Sequence, residues 1–357
     1  MHCSSLGGYG SITVDASSNV VFMHPKVRRT TKVIAERVAQ MIFDTLMNTN
    51  GRGLVGRMKL RALQKARQIL IGRTDPLVRY AIGGSQIWIP ISHQLPFYRS
   101  MLPSYGSNVA RIAACAKQKY PKLTFIDIGA NVGDTLAMVR SMCSCPVLCI
   151  EGDDRFFPIL EVNASRWGNS IVLVKAYVGG GGTIQATIKA IGGTATVVPT
   201  VDEGKSVTFQ TLTQIITVHP QFADAKMMKI DTDGFDCSII KSESGFLKRV
   251  RPIVFFEYDP FHFRRICDDG FEVFNVLRTC GYNDALIYEN TGDYMMSLTI
   301  GDTSLLEDIH QFYSGRSGDR YCDICVLHAD DHGLAQAIRS QEIEFFSRRA
   351  SRQQPSS

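Results

Sequence analysis

Residues Phe125 to Thr135 read Phe-Ile-Asp-Ile-Gly-Ala-Asn-Val-Gly-Asp-Thr: an apolar run that enters a glycine-bearing loop and then a helical pattern. A strand, tight loop and helix in that order open a nucleotide-type cofactor site. A dinucleotide fingerprint requires glycine where this chain has Gly129, Asn131 and Asp134, so that backbone and helix N-terminus can approach a pyrophosphate. Only the first position complies, and the Asp134 carboxylate would stand beside two phosphates. A ligand carrying a cationic sulfonium and an ammonium group tolerates such acids instead.

S-adenosyl-L-methionine is a cofactor of that kind. The acids that follow in sequence fit it. Asp127, Glu151, Asp231 and Glu257 each lie at or just past the end of an apolar run. Four carboxylates crowded at one rim repel unless a cationic ligand, a metal or a shared proton sits among them. Glu151 lies eighteen residues after Gly133, where a carboxylate can accept both hydroxyls of an adenosine ribose; the plainer alternative is a solvated turn acid. Asp231-Thr232-Asp233 also has the form of an Asp-x-Asp that holds a diphosphate through a divalent ion, as in glycosyltransferases. It is not an EF-hand, because Gly234 comes two places too early.

The elements that must position these residues alternate. Strands are expected at Leu123 to Ile128, Pro146 to Ile150, Ile171 to Tyr177, Met227 to Ile230 and Pro252 to Phe256, with helices at Asp134 to Met142, Phe156 to Trp167 and Phe235 to Leu247. Near-continuous apolar strands between amphipathic helices imply a mostly parallel sheet covered on both faces, with strands near 284–288 and 321–327 completing one edge. Apolar residues at helical spacing from Val33 to Leu46, broken by Gly51 and Gly53, make residues 1–77 an N-terminal helical extension. Residues 78–120 are read as a hairpin and lead-in helix, 121–330 as the α/β domain, and 331–357 as a C-terminal helix with a disordered tail from Ser347. The stretch between Gly179–Gly182 and Gly192-Gly193 reads as a surface hairpin or, less simply, as a lid.

Composition bounds the class. At 357 residues, 45% hydrophobic and 20% charged, the chain can bury a large core. No apolar run is long enough to span a bilayer, and Met1 to Asp15 lacks the pattern of a signal peptide, so a cytoplasmic protein is expected. The ten cysteines sit mostly in apolar runs, as buried hydrophobes in a reducing compartment do. Cys322 and Cys325 have zinc spacing, but their surroundings read as a buried strand. No metal is assigned. Seven basic residues from Arg52 to Arg73 have no acid among them. Without interleaved aromatics they read as a solvated helix face rather than a nucleic-acid platform.

Four motifs in order, Phe125 to Thr135, Cys149-Ile-Glu-Gly-Asp153, Lys229-Ile-Asp-Thr-Asp-Gly-Phe-Asp236 and Phe255-Phe-Glu-Tyr-Asp259, together resemble the FkbM family of class I methyltransferases over about Thr124 to Pro260. The resemblance implies a Rossmann-like α/β fold and S-adenosyl-L-methionine-dependent methylation, usually of a hydroxyl oxygen on a glycan or natural-product-like metabolite. It implies that Asp127, Gly129, Asn131 and Gly133 shape the methionine end of the cofactor site, while Glu151 holds the ribose; Asp134, the acid of the same loop, is expected to bind the cofactor with them. The fourth-strand motif departs from the family's usual Asp-x-Glu-Gly, since Asp233 replaces the glutamate.

Methyl transfer to a hydroxyl needs the oxygen aligned with the sulfonium and a base for its proton. Asp231, Glu257 and His262 are the candidates. Each has a plainer role open to it: orientation of the acceptor for the acids, packing for the histidine. A metal-dependent glycosyltransferase and a non-catalytic cofactor-binding protein remain the competing classes. A homo-oligomer built on the N-terminal helices is also open.

Overall fold

The computed structural model describes residues 25–49, 51–200, 204–315 and 320–353; the reading of Met1 to Asp15 lies outside them. Two helices, α1 (Pro25–Asn48) and α2 (Gly53–Arg73), precede an antiparallel hairpin of β1 (Leu77–Ile82) and β2 (Ser85–Pro90), then α3 (Leu95–Met101) and α4 (Asn108–Lys119). The α/β alternation begins with β3 (Phe125–Ile128), α5 (Asp134–Met142), β4 (Val147–Glu151), α6 (Phe157–Ala164) and β5 (Ile171–Lys175). The chain then leaves the main sheet through β6 (Tyr177–Val178), β7 (Gly182–Ile191), β8 (Thr194–Pro199) and β9 (Lys205–Gln210). It returns by α7 (Leu212–Val218), β10 (Met227–Ile230), α8 (Asp236–Ser242), α9 (Ser244–Val250) and β11 (Ile253–Tyr258). The remaining elements are α10 (Pro260–Phe263), α11 (Glu272–Thr279), β12 (Tyr282–Glu289), β13 (Tyr294–Thr299), α12 (Thr303–Ser314), β14 (Cys322–His328) and α13 (His332–Gln353).

The main sheet has eight strands in the order β13-β12-β14-β11-β10-β3-β4-β5. β5, β4, β3, β10 and β11 pair in parallel, and β14 runs antiparallel to both β11 and β12. The fold is thus the Rossmann-like, mostly parallel α/β architecture that the apolar strands imply. Every residue of β3, β4, β10 and β11 is buried, because helices cover both faces. Strand alternation sends Phe125, Val147, Met227 and Ile253 to one core, under α4, α5, α6 and α13. Their neighbours Ile126, Leu148, Met228 and Val254 enter the other, under α7, α8, α9, α11 and α12. Strand order reverses at β3: the chain builds outward to β4 and β5, then crosses to β10 on the other side. A crevice opens beyond the carboxyl ends of β3 and β10.

Three local expectations are corrected. The strand read through to Tyr177 breaks after Lys175, and β6 joins a separate four-stranded sheet of order β6-β9-β7-β8. The helix read over Phe235 to Leu247 is two helices parted at Glu243, whose buried carboxylate accepts the Leu212 N–H at 2.7 Å and the Thr213 hydroxyl at 2.8 Å. That tie to the start of α7 replaces helical continuity. The tail read as disordered from Ser347 is helical to Gln353: Arg349 bonds Asp293 and Ser104, each at 3.0 Å. Residues 354–357 lie outside the described set. Cys322 and Cys325 sit in β14 as buried sheet residues. Among the described residues, no helix is long and apolar enough to cross a membrane.

Candidate active site

The loop between β3 and α5 must turn sharply, and its residues allow it. Gly129, Asn131 and Gly133 have φ of 78°, 48° and 85°, the left-handed region that glycine enters freely and asparagine tolerates. Gly129 and Ala130 donate N–H bonds to Ile150 O at 2.9 and 3.0 Å, and Asp231 donates to Ile128 O at 3.1 Å. The loop is therefore stitched to the ends of β4 and β10. A Cβ on Gly129 would lie 1.8 Å from Asp231 O, and one on Gly133 2.9 Å from Leu160 Cδ1. Gly129 allows close backbone passage; Gly133 allows α6 to pack.

Above this loop lies a cleft enclosing about 1150 Å³, open solvent at its mouth included. Of the residues expected from sequence, Gly129, Asn131, Asp134, Glu151, Asp231 and Glu257 line it. Asp127, Gly133 and His262 are not among its lining residues. The crevice at the strand-order reversal brings the six together, since Glu151 ends β4, Asp231 follows β10 and Glu257 lies near the end of β11.

Glu151 is held in place by its surroundings. Its Oε2 accepts the Asn131 N–H at 2.8 Å and its Oε1 the Asp153 N–H at 2.7 Å. Each carboxylate oxygen keeps a lone pair for another donor. Burial pushes its carboxyl above the ordinary range, and those two N–H bonds oppose the shift. Asn131 Nδ2 donates to Gly193 O at 2.7 Å, and Gln94 N–H donates to Gly192 O at 2.8 Å. The tip of the β7–β8 hairpin thereby closes onto the cofactor-type loop and the start of α3. The glycine-flanked stretch is a hairpin whose turn forms part of the cleft wall.

Asp127 acts at one remove. Strand register sets Lys229 beside it, and Lys229 Nζ lies 3.3 Å from Asp127 Oδ1 and 3.2 Å from Asp231 Oδ2. Burial opposes the ammonium charge, but Asp127 and Asp231 outweigh it and hold Lys229 above the usual lysine range. Lys229 lines the cleft and was not singled out from sequence; the signal available was a lysine interrupting an otherwise apolar strand.

The acids around the β10–α8 turn crowd one another. Asp236 accepts the Thr232 hydroxyl at 3.0 Å and the N–H groups of Thr232 and Gly234 at 3.3 Å, closing a turn in which Asp233 has φ 52°. Desolvation, then the charge of Asp231, pushes Asp233 and Asp236 each up to about 7. Glu257 is pushed well above the carboxylate range by burial, then by Asp231, Asp236 and Asp233, and by Asp323 opposite it on β14. The lining contains five acids, Asp134, Glu151, Asp231, Asp233 and Glu257, against the single lysine Lys229, which is already paired twice. A surplus of carboxylates of this kind disfavours a polyphosphate ligand. Its apolar wall includes Phe156, Phe209 and Phe235, the last two with ring centroids 5.1 Å apart. These aromatics come from elements far apart in sequence, and no local pattern marked them.

No curated protein matches this chain. Solved structures that resemble it include methyltransferase FkbM from Methylobacillus flagellatus, 13% identical over 57% of this chain and 43% of that one with a TM-score of 0.35. Precorrin-6y C5,15-methyltransferase from Geobacter metallireducens is 12% identical over 61% and 86%, with a TM-score of 0.32. A putative caffeoyl-CoA O-methyltransferase from Staphylococcus aureus is 9% identical over 60% and 80%, also at 0.32. The chain thus spans less than half the length of the Methylobacillus protein. The Methyltransferase FkbM domain family matches residues 127–283, from the first acid of the loop motif to the start of β12. Over those residues, under half of the chain, the sequence is similar to the FkbM methyltransferase domain.

Proposed function

We propose that this methyltransferase uses S-adenosyl-L-methionine and transfers its methyl group to a hydroxyl oxygen of a glycan or related hydroxylated metabolite. The observation that carries the cofactor assignment is Glu151: a carboxylate fixed by two backbone N–H groups at the mouth of β4, with acceptor capacity left over. The Tyr177 hydroxyl, a buried polar atom without a partner, belongs to a residue lining the same cleft and suits a ligand rich in donors and acceptors. Glu151 would bind the ribose hydroxyls. Asn131, Asp134 and the backbone at Gly129 would surround the amino-acid end, with Asp127 holding Lys229 and Gly133 seating the helix. The bound cofactor supplies an electrophilic methyl group on sulfur. The acceptor must then enter from the side of β10 and β11, where Asp231 and Glu257 line the cleft.

Asp231 is half exposed there and is assigned the proton of the acceptor hydroxyl. Glu257, whose carboxyl is pushed well above the ordinary range by burial and neighbouring acids, would orient the acceptor. His262, lowered by desolvation, is neutral and stands behind Glu257.

Calorimetry with S-adenosylmethionine and S-adenosylhomocysteine tests the cofactor assignment. Saturable binding is expected, and folded protein that binds neither ligand would remove it. Glu151→Ala should weaken cofactor affinity by about tenfold to a hundredfold, the worth of a lost bond to a charged acceptor; a change below twofold would take the ribose role from Glu151. Asp231→Asn should retain that affinity and lower turnover about 10²–10⁴-fold, read as label transferred from radioactive cofactor to fractionated hydroxylated acceptors. Undiminished transfer would end the assignment of Asp231 as base.

A further inference from the structure

Behind the acceptor end of the cleft, β11 and α10 bring together three side chains that the chemistry above does not fully use. Potential ligand atoms of Glu257, Asp259 and His262 all lie within 4.8 Å of one another. His262 Nδ1 is 3.1 Å from Asp259 Oδ2 and 4.0 Å from Glu257 Oε1.

Asp259 divides its work between its oxygens. Oδ1 caps α10, accepting the Phe261 N–H at 2.9 Å and the His262 N–H at 3.3 Å. Oδ2 is buried and has no hydrogen-bond partner, and neither has His262 Nδ1. The two atoms are near each other, yet their directions do not make a hydrogen bond. Two ligands about 2.1 Å from one cation, at roughly a right angle, stand about 3 Å apart with their lone pairs converging off the line between them. Among the described residues, neither Glu257 nor Asp259 forms an ion pair with lysine or arginine. Arg265, whose charge is felt at Asp259, instead lies over the Phe261 ring, 5.2 Å from its centroid.

We propose that Glu257, Asp259 and His262 bind one divalent cation of the Mn²⁺-to-Zn²⁺ kind, the class that two carboxylates and an imidazole suit. The backbone favours the arrangement. Asp259 holds the first turn of α10 so that His262 returns toward β11, and Gly234 lets the β10–α8 turn pass over it, since a Cβ there would come within 3.3 Å of His262 Cβ. A cation would also neutralise charge in the acid cluster around Glu257. Because Glu257 lines the cleft, the ion would adjoin the acceptor and could polarise its oxygen. That role rests on the methyl-transfer reading; the binding site does not.

Uptake of Mn²⁺ by the full chain, without cofactor, is measured by the loss of the free-ion electron paramagnetic resonance signal, with Zn²⁺ as competitor. One equivalent per chain is expected, with affinity weakened at least tenfold both in His262→Ala and in Asp259→Asn, which keeps an oxygen for the cap. No uptake at millimolar metal by wild-type protein with a native circular dichroism spectrum would overturn the site. So would unchanged affinity in both folded variants, or loss of uptake in Asp231→Asn alone, which would put the ion on Asp231 and Asp233. Failure to bind S-adenosylhomocysteine leaves this result untouched, so the two readings fail separately.

Discussion

Lys229→Met should destabilise the protein by about 3–5 kcal/mol, the usual consequence of leaving one member of a buried ion pair without its partner. The Asp127 side chain is fully inaccessible and that of Lys229 is 6% exposed, so water cannot replace the lost ammonium. Asp127 Oδ2 already lacks a hydrogen bond, which leaves Oδ1 without compensation once Nζ is gone. Urea denaturation followed by circular dichroism measures the loss. Burial raises the Asp127 carboxyl and Lys229 opposes that rise; without Lys229 it rises further. A raised folded-state carboxyl costs stability above the unfolded value, and the cost disappears as pH falls through the folded value. The deficit of the variant relative to wild type should therefore shrink on acidification. Asp127→Asn combined with Lys229→Met should recover most of the loss, because a buried pair replaced by neutral groups is often tolerated. A single-variant loss below about 1 kcal/mol would show that the pair is solvated and would remove Lys229 as the anchor between β3 and β10.

Gly129→Ala should be worse than its size suggests. Alanine at φ 78° costs about 1–2 kcal/mol from backbone sterics alone, and its Cβ would meet Asp231 O at 1.8 Å. That oxygen belongs to backbone and can retreat only if the β10 turn moves. A total of about 4 kcal/mol or more is expected, or failure to accumulate as folded protein. Gly84→Ala supplies the control. Gly84 has φ 71°, and nothing lies within 4 Å of its Cβ position, so its substitution isolates the backbone term. Equal losses at the two sites would mean that the loop is not pressed against the end of β10.

The strand–loop–helix at Phe125 to Thr135 and the acids at successive strand ends were legible because they are local. Period-two burial, apolar continuity and the glycine positions depend on neighbours in sequence. The β7–β8 hairpin was legible from its alternation and flanking glycines, but that β6 and β9 join it in a second sheet was not: a short strand pairs with whichever edge the fold presents to it. The split at Glu243 was hidden for a related reason, as the residue is helical by pattern and its carboxylate is claimed by α7.

The candidate site divides in the same way. Sequence by itself determined which carboxylates stand at the strand ends, since the end of an apolar run fixes where a strand stops. Only the tertiary structure decided what each one faces. Register placed Lys229 against Asp127 and turned that acid inward. The antiparallel return of β14 set Asp323 opposite Glu257, and the turn into α10 brought His262 back toward both Glu257 and Asp259. Charge, unlike hydrophobic period, acts through space: an acid's protonation and role depend on partners a hundred residues away that no spacing rule encodes.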